Sequence, residues 1–115
     1  MPSMTIYNQG DVLLVPYPFT DQSGSKQRPS IVLSGDAYNQ IHPDVILAPI
    51  TSQVMHTPDE VSLVDWQAAG LLKPSVVKPV LSSFDVQLVK RKLGALSASD
   101  RMQVRALFAR ILDLP

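Results

Sequence analysis

Asp11-Val12-Leu13-Leu14-Val15-Pro16-Tyr17 is the stretch that decides the fold. It follows Gly10 and is apolar at successive positions, so a strand here is covered on both faces. Pro16 and Pro18 have no N–H for a ladder, so the strand ends or meets a sheet edge there. Outward from this run, Thr20–Gln27 holds no apolar residue and reads as a loop. Pro29–Ser34 is a second strand closed by Gly35-Asp36, Val45–Thr51 a third, and Glu60–Leu63 a short fourth. Asp65–Ala69, before Gly70, reads as one or two helical turns with an aspartate at the N-terminus. Ser75–Phe84 is a fifth strand. Ten prolines punctuate the chain and disfavour long helices in its first two thirds.

The last segment changes period. Val104, Leu107, Phe108, Ile111 and Leu112 recur at helical spacing and form one apolar face. Ser97 and Ser99 are candidate N-caps, and Asp100 suits the positive end of a helix dipole. Arg101, Arg105 and Arg110 fall off the stripe, which predicts an amphipathic helix over 98–112. The fold class is mainly β with short helices (α+β): a small β barrel or curled sheet packed by a C-terminal amphipathic helix.

At 115 residues the chain fits one domain over 1–115, large enough to bury a core without staples. The absence of cysteine excludes disulfides, thiol nucleophiles and cysteine-based metal sites. There is no apolar run of the ~18 residues a membrane span needs. Met1–Thr5 lacks the basic and apolar regions of a secretory signal, so the expected location is cytoplasmic, with no membrane partner. Ten basic and ten acidic side chains cancel, which taken whole disfavours a nucleic-acid partner. The distribution is uneven: two basic against seven acidic residues over 1–72, then eight against three over 73–115. A basic face can therefore coexist with zero net charge.

The five glycines are too dispersed for a phosphate loop or a dinucleotide fingerprint. His42 and His56 have no metal-ligand partner at helical spacing, and both read as surface histidines. Two places carry more. At Lys26-Gln27-Arg28-Pro29 a polar loop enters a buried strand, and Arg28, held extended before proline, offers a charged, bidentate donor suited to phosphate. At Thr51-Ser52-Gln53 three hydrogen-bonding side chains follow directly on a buried strand, where a scaffold holds them rigid toward solvent.

Taken in order, five segments resemble the MazF/PemK family of bacterial toxin endoribonucleases. They are Gly10–Val15, Gln27–Ser34, Ile46–Ser52, Ala69–Val77 with its "GL-x-x-x-S-V-V" pattern, and Leu93–Ser97 with its "IG-x-L-S" pattern. The resemblance runs from about 9 to 112. It implies a compact SH3-like barrel, a homodimer, and metal-free cleavage of single-stranded RNA, often mRNA at a short sequence, with no cofactor. It also implies a small antitoxin whose disordered tail blocks the RNA groove, and contact with DNA only through the antitoxin complex.

Two functional positions carry over by the same resemblance: Arg28 matches the family's "R-P" arginine and Thr51 the threonine of its "P-I-T" motif. Both can stabilise the charge that develops when a 2′-hydroxyl attacks its phosphate. Phe19 is then a candidate for stacking on a base, and Lys26, Ser52, Gln53 and Lys78 for contacting RNA. One departure stands out. Where many members have an arginine in a run like "Q-I-R-T-I-D", this chain has Ser82 before Asp85; either Lys78, Lys90 or Arg91 supplies the lost charge, or the RNA contacts differ. Two alternatives follow: a non-enzymatic toxin of the same fold acting on DNA gyrase, or a catalytically silent co-repressor. The first lacks the aromatic C-terminal tripeptide of gyrase poisons, since the chain ends Leu112-Asp113-Leu114-Pro115.

Overall fold

Because successive strand residues point to opposite faces, the apolar run of the first strand can serve two cores at once. In the computed structural model, which describes residues 5–17, 26–53 and 58–115, it does. The strand β1 (Asp11–Tyr17) sends Val12 to a core with Ile31, Ala48 and Ile50, and Leu13 and Val15 to a second core with Val32, Val45, Leu47 and Phe84. β1 pairs antiparallel with β2 (Lys26–Val32), and β2 with β3 (Asp44–Thr51). Between them lies α1 (Asp36–Ile41). The rest are β4 (Val61–Ser62), β5 (Val76–Val77), β6 (Ser82–Asp85), a 3-10 turn (Val86–Leu88), β7 (Arg91–Ala95) and α2 (Ala98–Ile111). The hydrogen-bonded order is β4-β5-β3-β2-β1-β7, with β6 alongside the first half of β3.

Several boundaries differ from the sequence expectation. β2 starts at Lys26 rather than Pro29, because Lys26 and Gln27 are drawn into the ladder by Tyr17 and Pro16 across the hairpin. The fifth strand is two strands, since Pro79 has no N–H to continue the ladder. Lys78 still donates to Pro49 O, Val80 turns back to Lys78 O at 2.8 Å, and the chain rejoins β3 at Ser82. Asp65–Ala69 forms one hydrogen-bonded turn, Ala69 N–H to Asp65 O at 3.2 Å, rather than a longer helix. Neither α1 nor β7 was expected. α1 buries only Asn39, whose amide donates to Tyr7 O at 2.9 Å and Ser34 O at 3.1 Å, so a polar anchor holds it. β7 is an edge strand opening Arg91-Lys92, a composition that discourages further pairing.

β4 and β7, at the two ends of the sheet order, do not pair; the turn after β4 closes the gap. Gly70, at φ +86°, lies so close to Leu93 that a Cβ would stand 2.1 Å from its carbonyl oxygen. A Cβ on Gly94 would meet Ala69 O at 2.5 Å. Two missing side chains thus let backbone meet backbone and curl the sheet over the first core.

α2 seals that core with Val104, Leu107 and Phe108. Ser97 is its N-cap, accepting Asp100 N–H at 3.2 Å. Asp100 does more than complement a dipole. Its fully buried carboxylate accepts Val64 N–H at 3.0 Å and Asp65 N–H at 2.9 Å, bracketing the closing turn to the helix. Ile111 and Leu112, expected on the buried stripe, are exposed; Leu112 lines an open groove instead. Among the described residues no helix is long and apolar enough to cross a membrane.

Candidate active site

The hydrogen-bonded ladder between β2 and β3 runs Val32–Leu47, Ile31–Ala48 and Ser30–Pro49. It stops where Pro29 and Pro49 have no N–H to donate. Both strands continue past that point, β2 back to Lys26 and β3 on to Thr51. Arg28 and Thr51 each lie two positions beyond the last pair, Ser30 and Pro49, on these neighbouring strands. Strand alternation returns each to the face of that pair.

The neighbouring registers fill in that face. Val15 is opposite Arg28 and Leu13 opposite Ser30. On the other side Val76 is opposite Thr51, and the register continues to Lys78 beside Pro49, which its N–H reaches at 3.0 Å. Glu60 then follows Lys78 in the β4–β5 register, and the two side chains form an ion pair. The row beside Arg28 and Thr51 therefore reads Leu13, Ser30, Pro49, Lys78, Glu60. Ser82, at the position of the family arginine, is opposite Leu47 on the same face.

Arg28 and Thr51 are half-buried, Ser52 and Gln53 exposed. Thr51 Oγ1 accepts Gln53 N–H at 3.1 Å, which orients the hydroxyl and leaves its proton to be donated. Lys78 is held by a carboxylate whose side chain is only 3% exposed. Phe19 and His56 lie outside the described residues, and the Lys26 side chain is likewise not described. His42 is exposed and stacks on Tyr38 at 4.0 Å, a surface role as expected. Tyr7 packs against the Leu13 and Val15 core on this same side, where burial pushes its phenol above the usual range and the Asp11 carboxylate adds to the shift. Among the described residues no group of three His, Cys, Asp or Glu side chains is placed to hold a metal.

Local sequence reading misses Glu60 and Ser30. Glu60 becomes meaningful only through β5, since Lys78 lies 18 residues away. Ser30 Oγ is buried without a partner among the described residues, between Leu13 and Pro49 on the Arg28 face.

A curled antiparallel sheet sealed by a C-terminal helix is the architecture that carries these residues. The chain belongs to the PemK-like, MazF-like toxins of type II toxin–antitoxin systems, whose family profile matches residues 8–112. No curated protein sequence matches it. Among solved structures, a MazE–MazF crystal structure from Deinococcus radiodurans is 25% identical, with 96% of this chain and 100% of the other covered at a TM-score of 0.78. An endoribonuclease in complex with its cognate antitoxin from a mycobacterial species is 18% identical, covering 95% and 97% at 0.77. The Mycobacterium tuberculosis toxin MazF-mt6 is 24% identical, covering 91% and 98% at 0.76.

Proposed function

We propose that this protein is a metal-independent endoribonuclease toxin that cuts single-stranded RNA and is neutralised by a cognate antitoxin. The observation that carries the reading is that Arg28 and Thr51 lie on adjacent strands, each two residues beyond the last pair, Ser30 and Pro49. The 2′-hydroxyl oxygen of the RNA attacks the adjacent phosphorus, the bond to the 5′-oxygen breaks, and the products are a 2′,3′-cyclic phosphate and a 5′-hydroxyl. The proton lost by the 2′-hydroxyl and the proton gained by the leaving oxygen need an acceptor and a donor. A guanidinium offers donors and no acceptor, so the part of Arg28 is to hold the phosphate and stabilise the extra negative charge. Thr51 donates its hydroxyl proton to the same group. Ser52 and Gln53, exposed next to Thr51, are suited to base edges, and Phe19 and Lys26 to the opposite border of the groove.

Similar structures solved with an antitoxin support an antitoxin partner; in this proposal DNA is reached only through that complex. Incubation with a long defined RNA in EDTA tests the reading. Cuts at a recurring short motif with 5′-hydroxyl ends are expected. Intact RNA under those conditions, with restoration by a divalent cation, would refute the metal-independent mechanism.

We further propose a homodimer. A groove of about 700 Å³ lies between the end of β2, Leu81 and the last turn of α2, with Leu112 and Leu114 exposed along it. Sedimentation at micromolar concentration should give a dimer, and Leu112→Asp should shift it to monomer. A wild-type monomer overturns this assignment.

A further inference from the structure

Ser30 lies two residues from Arg28 in β2, on the same face, between Leu13 of β1 and Pro49 of β3. It is wholly buried, and its Oγ has no hydrogen-bond partner among the described residues. An alanine here would fill nearly the same space with no polar atom to satisfy. A hydroxyl taken out of water and left unpaired lowers stability instead. Buried polar side-chain atoms are satisfied in the large majority of cases, so the exception beside Arg28 points to a partner gained when the site is occupied.

The surroundings narrow that partner. The cross-strand neighbours Leu13 and Pro49 bring no polar side-chain atom. Along β2 the neighbours on this face are Arg28 and Val32. Of these four, Arg28 is the one whose side chain carries hydrogen-bond donors. Its Nε is buried, so the inner end of the guanidinium lies down in the sheet face rather than out in solvent. A guanidinium has five N–H donors in a planar fork. When two of them grip a phosphate in parallel, others remain on the inner side, where a fixed hydroxyl oxygen can accept one.

We propose that Ser30 is a positioning residue of the RNA site: its Oγ accepts a hydrogen bond from the Arg28 guanidinium once phosphate is bound, which fixes the plane of the fork against the phosphate. This rests on the nuclease reading above. The hydroxyl acts through Arg28 and touches neither the RNA nor the reacting atoms. The penalty of the unpaired hydroxyl falls on the free protein and is relieved in the complex. Ser30 therefore works against stability and for cleavage.

That opposition of sign is the test. In Ser30→Ala the cleavage rate at saturating RNA in EDTA should fall about 10–100-fold, the size of one hydrogen bond to a charged group. Tm should stay at or above the wild-type value, because the variant loses a buried hydroxyl without a partner. With Arg28→Ala already in place, adding Ser30→Ala should change the residual rate by less than about twofold, since a residue that acts through another loses its effect with it. A wild-type rate in Ser30→Ala, the same loss of rate in the Arg28→Ala background, or a Tm below wild type overturns the inference, and wild-type cleavage in EDTA stands through all three. RNA left intact by the wild-type protein overturns the nuclease reading and the inference with it.

Discussion

Replacing Arg28 by alanine is expected to slow RNA cleavage by about 10²–10³-fold, the usual consequence of losing one preorganised donor to a developing oxyanion. The expectation follows from where the side chain is held. Arg28 lies inside β2, paired with Val15 of β1. It therefore presents its fork without the entropy cost of ordering a surface side chain. Lysine at this position keeps the charge but not the planar pair of donors, so Arg28→Lys should recover only a small part of the rate. Thr51→Val removes the hydroxyl at nearly constant volume, and Thr51→Ser keeps it; the first should be nearly inactive and the second active. The measurements are initial cleavage rates in EDTA alongside thermal unfolding. A rate within threefold of wild type in Arg28→Ala, with the fold intact, would remove Arg28 from the chemistry.

The largest effect on stability is expected at Gly70. Alanine there must adopt φ +86° and place its Cβ 2.1 Å from the Leu93 carbonyl oxygen. Backbone strain of this kind costs about 1–3 kcal/mol and overpacking against a rigid neighbour about 1–3 more. The obstacle is main chain, so it cannot swing aside as a side-chain tip would. A domain of this size is stable by only about 5–15 kcal/mol, so Gly70→Ala should lower Tm by more than about 10 °C or prevent folding. Gly94→Ala, 2.5 Å from Ala69 O, should behave alike. Gly35→Ala serves as control, since a Cβ there meets nothing within 4 Å; it should change stability by less than about 1 kcal/mol. A wild-type Tm in Gly70→Ala would show that the seam between the turn and β7 is not tightly closed.

What could be read from the sequence follows what each element is made of. β1, β3 and α2 announce themselves, because each buries apolar side chains at a regular period. α1 has no apolar face to betray it, as its one buried side chain is Asn39. β7 opens with Arg91-Lys92 and becomes a strand only because β1 lies beside it. The site divides in the same way. Arg28 and Thr51 are visible from Pro29 and the strand ends around them, but that their strands are neighbours depends on the β2–β3 pairing, which no local window contains. The partners of Lys78 and Asp100 lie 18 and about 35 residues away, and nothing local predicts either contact.

The position of α2 has a consequence for synthesis on the ribosome. Arg28, Thr51 and every strand precede the helix in the chain, yet Val104, Leu107 and Phe108 form the lid of the core on which those strands rest. Asp100 must also arrive before the Val64–Asp65 turn has its acceptor. A growing chain thus carries both site residues well before it has a surface rigid enough to oppose them, because domains fold as units. On that ordering, the strands that carry Arg28 and Thr51 gain the lid of their core only once α2 is made.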